Sequence, residues 1–137
     1  MPSARIKTAL QELTEENIIE AFRNSITVTD LLKYVSVTEF IALLEAYGGF
    51  PLYVPTGAAS KVAKIISAES LSRLASQYGG DFITMPKFDT LTRWLRDREI
   101  CGNTENISVR EMARRYGLTP RRVNQIIKHN KGNGSCR

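Results

Sequence analysis

Apolar residues recur along this chain mostly three and four apart, the spacing that lines one side of an α-helix. Between Lys7 and Arg23, the positions Leu10, Leu13, Ile18, Ile19 and Phe22 follow it and predict helix, with a break near Thr14. Thr29-Asp30 supplies polar oxygens able to cap a short helix carrying Leu31, Leu32 and Tyr34. Ser36 and Glu39 make a capping box: the serine oxygen takes a free amide and the glutamate reaches back. The helix it opens would bury Phe40, Leu43 and Leu44 and stop at Gly48-Gly49. Phe50 to Val54 is then β-prone, and Pro51 confines it to an edge or a strand start. A helix from about Gly57 to Ile66 is expected next, with Val62, Ile65 and Ile66 on one side. Further on, Phe88, Leu91, Trp94, Leu95 and Ile100 predict another helix capped near Asp89, with Trp94, the only tryptophan, in the core.

The pattern repeats. Residues 71–87, LSRLASQYGGDFITMPK, align with residues 40–56, FIALLEAYGGFPLYVPT, at a constant offset of 31. Leu43 matches Leu74, Tyr47 matches Tyr78, Gly48-Gly49 matches Gly79-Gly80, Leu52 matches Ile83 and Pro55 matches Pro86. Each copy reads as helix, Tyr-Gly-Gly, short strand, proline. A strand this short cannot stand alone, so the second copy or a second subunit must supply its partner.

Charge sharpens the division of the chain. Cys101 to Arg137 carries eight Lys or Arg against Glu105 and Glu111, whereas the rest holds eleven bases and twelve acids. The whole positive excess of +5 therefore sits at one end, as expected of a module that meets a polyanion. Two cysteines, Cys101 and Cys136, make no framework and suggest a reducing compartment. Glu12, Glu15, Glu16 and Glu20 exclude a signal peptide, and no apolar run approaches the roughly 18 residues that span a bilayer. A soluble cytoplasmic protein is expected.

The sharpest signal lies in residues 107–128, ISVREMARRYGLTPRRVNQIIK. Ser108 and Glu111 form another capping box, and Ile107 can staple against Met112. Gly117 can take the left-handed conformation that ends a helix, and Thr119 can cap a new one with Pro120 at its first position. Ala113 lets two helices approach, Gly117 turns the chain, and Leu118, Val123 and Ile126 fill the wedge, the slots of a DNA-binding helix-turn-helix. The outward face then carries Thr119, Arg121, Arg122, Asn124, Gln125 and Lys128. Arginine can bridge both acceptors of guanine, and asparagine or glutamine can pair with adenine, so Arg121, Asn124 and Gln125 are expected on base edges. Ser108, Arg110, Arg122 and Lys128 suit phosphates.

From about Leu71 to Lys128 the chain resembles the Mor/C family of transcription activators of Mu-like bacteriophages and prophages. The resemblance rests on Gly79-Gly80, a short strand, Pro86-Lys87, Arg98-Glu99-Ile100, Glu111 to Leu118, and Ile126-Ile127-Lys128. It implies a homodimer on an imperfect inverted repeat, activation through host RNA polymerase, and a dimerisation domain in which two subunits intertwine. It also implies a DNA-assisting glutamine and tyrosine on the strand after Gly-Gly. Phe82 and Thr84 stand at those positions here, and Tyr53 of the first copy matches the tyrosine. The added copy would let the two strands pair within one chain.

The expected fold is mainly α with short β-strands. Residues 1–100 would form a helical and β dimerisation-type domain, and residues 101–137 a polar linker (Cys101 to Asn106), the helix-turn-helix and a tail. An enzyme is not expected, nor a cofactor: His129 is the only histidine, Cys/His metal spacing is absent, and neither Gly-Gly continues as a P-loop. The rival readings are a DNA-binding repressor, partition factor or antitoxin, and a helical hairpin that binds protein. The favoured one is a double-stranded-DNA-binding activator of phage or prophage genes, nucleoid-associated in a bacterial host.

Overall fold

The computed structural model describes residues 9–56 and 61–132, mainly helical with one two-stranded sheet. Its contacts divide the chain into a unit up to Leu91 and a unit from Thr92 onward. In the first unit lie α1 (Glu15–Ala21), α2 (Ile26–Leu31), α3 (Val37–Tyr47), β1 (Pro51–Tyr53), a 3-10 turn (Val62–Lys64), α4 (Ala68–Tyr78) and β2 (Phe82–Thr84). Helix α5 (Phe88–Gly102) crosses the division, and α6 (Val109–Tyr116) and α7 (Pro120–Gly132) complete the second unit.

Side-chain caps decide where the helices start. Thr14 caps α1 and exchanges hydrogen bonds with Asn17, at the break the sequence predicts. The next helix begins earlier than expected. Arg23 and Asn24 take positive φ and end α1, and Ser25 then caps α2, so Thr29 and Asp30 lie inside the helix. Leu31, Leu32, Phe40, Leu43 and Leu44 are buried as the spacing requires, and Phe22 meets Phe40 edge to face at 5.9 Å. Of the helix expected over Gly57 to Ile66, the described residues show only the 3-10 turn, with Val62 and Ile66 buried. Ser67, extended as the cap of α4, prevents its continuation, and residues 57–60 lie outside the described residues.

Helix α5 starts at Phe88, which puts Asp89 in its first turn rather than at its cap. Leu91, Leu95, Ile100 and Cys101 are buried. Trp94 is half-buried instead of fully in the core, and the Arg98 guanidinium covers its ring at 5.2 Å, a cation–π contact. The helix also takes in Cys101 and Gly102, so the polar stretch bends only from Asn103, whose amide donates to Glu99 O at 2.8 Å. Cys101 is disulfide-bonded, a departure from the expectation of cysteines without a framework; the other cysteine, Cys136, lies outside the described residues.

The repeated segments fold alike. Helix α3 ends at Gly48 with φ −52°, helix α4 at Gly79 with φ −54°, and Gly49 and Gly80 follow at φ +82° and +85°. A Cβ on Gly48 or Gly79 would lie 2.5 Å from the carbonyl of Leu44 or Ala75, and the second glycine needs its positive φ, so each Tyr-Gly-Gly turn requires both glycines. The strands then pair antiparallel, with Leu52 opposite Ile83, Pro51 opposite Thr84 and Tyr53 opposite Phe82. Leu52, Ile83, Val54 and Met85 face the core. On the other face, Tyr53 and Phe82 meet with ring centroids 5.1 Å apart and remain exposed.

The likeness extends back to the caps. Ser36 and Ser67, also 31 apart, cap α3 and α4. Glu39 completes the box at Ser36 N (3.0 Å) and also accepts from Ser67 N (2.7 Å) and the Ser70 hydroxyl (2.7 Å). Burial alone would raise the Glu39 pKa; the hydrogen bonds from Ser67, Ser36 and Ser70 outweigh it and hold the carboxyl at about 2.

Candidate nucleic-acid interface

Ser108 sets the start of α6: its hydroxyl accepts from Glu111 N at 3.2 Å. The expected capping box is only half made, because the Glu111 carboxylate turns outward to Arg114 (2.8 Å) and Arg115 (3.4 Å). Two cations in the last turn also suit the negative end of the helix. At the C-terminus Gly117 lies at φ 66°, ψ 33°, and Leu118 N donates to Ala113 O at 2.8 Å, which reverses the chain in a Schellman-type turn.

Thr119 restarts the helix. Its hydroxyl accepts from Arg122 N at 3.1 Å, and Pro120 occupies the first position of α7, where a missing amide is harmless. Met112, Ala113, Val123, Ile126 and Ile100 close into one buried cluster, with Ile107, Val109, Tyr116, Leu118 and Ile127 packed around it. Burying each branched side chain contributes about 1.5–3 kcal/mol, enough for this small wedge to hold two short helices in register. The sequence-predicted turn and wedge residues, Ala113, Gly117, Val123 and Ile126, thus come together at one corner.

What the wedge leaves outside is polar. Arg121, Arg122, Asn124, Gln125 and Lys128 are all exposed on α7, as is Thr119 at its cap, and Ser108 and Arg110 are exposed at the start of α6. Arg121, Asn124, Gln125 and Lys128 stand at helical spacing i, i+3, i+4 and i+7, which puts them along one side. The cations differ in their company. Arg114 and Arg115 are tethered to Glu111, whereas none of the described residues pairs with the side chains of Arg110, Arg121, Arg122 or Lys128. The tethered pair escaped the sequence reading, which spent Glu111 on the cap; the i, i+3 and i, i+4 spacing to two arginines was the available signal.

Such a face can form charge-assisted hydrogen bonds with phosphate oxygens, and its planar guanidinium and amide groups can pair edge-on with bases. Among the described residues no group of side chains could hold a metal ion, and no helix is long and apolar enough to cross a membrane. A model of a protein family described as the Mor transcription activator family matches residues 58–133, which takes in α4, β2, α5, α6 and α7. No curated protein and no solved structure matches the chain.

Proposed function

The chain belongs to the Mor transcription activator family, and from that premise we propose that it binds double-stranded DNA sequence-specifically and raises transcription from phage or prophage promoters together with host RNA polymerase. The observation that carries the reading is the exposed polar face of α7, where the cationic side chains of Arg121, Arg122 and Lys128 have no partner among the described residues, standing on a closed apolar wedge. Arg121, Asn124 and Gln125 read base edges in the major groove, with Thr119 at the entry of the helix. Ser108, Arg110, Arg122 and Lys128 hold phosphates and fix the register. Base-edge hydrogen bonds supply the choice of sequence and phosphate contacts most of the affinity, which is the work of a regulator.

Selection of bound DNA from a random pool, followed by a reporter fused to a promoter carrying the selected site, tests this. Transcription should rise with the wild-type chain. Arg121→Ala should keep its helical spectrum, lose about 1–3 kcal/mol of affinity for the selected site, and accept more bases at one position. Unchanged affinity and base choice in that variant would remove Arg121 from the reading face, and a fall in reporter output would make the protein a repressor.

A further inference from the structure

We infer that one chain completes its own ribbon from two copies of a single structural unit, so that the DNA-binding species is a single chain and its target one asymmetric element. The inference rests on the DNA-binding reading above and names the class of DNA that this face takes.

The family match at residues 58–133 contains the second copy, with β2, and leaves the first copy outside. A lone three-residue strand leaves backbone amides and carbonyls without partners, so a single-copy chain must find a second strand in another molecule. Here β1 provides it. Four of the bonds around the ribbon form two pairs related by the 31-residue offset, while Gly49 N also donates to Pro86 O (3.1 Å), a bond that Gly80 does not repeat. Gly49 N donates to Met85 O (3.3 Å) and Gly80 N to Val54 O (2.8 Å); Val54 N donates to Asp81 O (2.9 Å) and Met85 N to Phe50 O (3.2 Å). Leu52 and Ile83, equivalent positions, face each other, so a local two-fold passes between them. Two identical molecules would build this arrangement around a symmetry axis.

The copies are complementary rather than identical where that matters most. Glu39 and Ser70 occupy equivalent positions and touch across the axis at 2.7 Å. A glutamate in both copies would set two carboxylates against each other, and a serine in both would leave each cap without its charged acceptor. With one of each, the single carboxylate serves both caps, accepting from Ser36 N and Ser67 N. First copy against second copy is therefore the matched pairing. Only the second copy continues into α5, α6 and α7, so the closed ribbon carries one recognition helix. A palindromic site needs two, related by a two-fold.

The full-length chain tests this directly. Light scattering at micromolar concentration should give the mass of one chain, and the sequence selected from a random pool should lack two-fold symmetry. In a gel shift with untagged and longer, tagged chains mixed, two complexes should appear. A third, intermediate complex, or a palindromic site, would overturn the inference in favour of the homodimer that the resemblance implies, as would a two-chain mass built by strand exchange. Failure to shift any duplex in dilute buffer would overturn the regulatory reading and the target with it, while the mass of the free chain judges the closed ribbon separately.

Discussion

A Cβ at Gly117 would meet no atom within 4 Å, yet its φ of +66° suits few side chains. The demand for glycine there is thus conformational, with no part played by crowding. Gly117→Asn should fold and bind close to wild type, because asparagine tolerates the left-handed region. Gly117→Val should lose about 1–3 kcal/mol in urea unfolding, since a branched residue strains there. Equal stability of the two variants would show that the turn between α6 and α7 is built otherwise. At this scale the sequence was legible wherever a residue acts through its own backbone, as Gly117, Thr119 and Pro120 do. It was less so where a neighbour decides. The half-buried Trp94 takes Arg98 as its cover, and Glu111 is drawn from its cap by two arginines.

At the scale of elements, Glu39 joins the N-termini of α3 and α4 through one carboxylate. Its pKa stands at about 2 when folded against an ordinary value of 4.5, so the unfolded chain takes up the proton first as pH falls. The stabilisation is therefore fully present above about pH 4.5 and drains away toward pH 2. Melting temperatures followed across that window should fall less steeply for Glu39→Gln than for the wild type, and the variant should start lower at neutral pH. Parallel curves would show that the carboxylate does not serve both caps. The box at Ser36 was readable because its partners are three residues apart; the bonds to Ser67 and Ser70 span 28 and 31 residues and no local spacing announces them. The start of α2 was missed for a related reason. Ser25 caps as well by type as Asp30, and the positive φ of Arg23 and Asn24 beyond α1, which no local spacing announces, hands the next helix to it at once.

Across the whole molecule, the repeat and the charge asymmetry were both visible in the sequence, while the partner of each strand was not. The same two strands satisfy the pattern whether they pair within one chain or between two. The Glu39–Ser70 match, seen only once the copies face each other, is what favours first copy against second. Charge makes the larger claim. If Arg110, Arg122 and Lys128 each neutralise a phosphate, the logarithm of affinity should fall with that of salt at a slope near about −2.7, roughly a forty-fold loss between 50 and 200 mM. Fluorescence anisotropy of the full-length chain on its selected duplex, titrated across that range, measures this directly. Binding should be tight in dilute buffer and weaken along such a slope; an affinity indifferent to salt, or no binding to duplex DNA at the lowest salt, would contradict a phosphate-gripping face on α7.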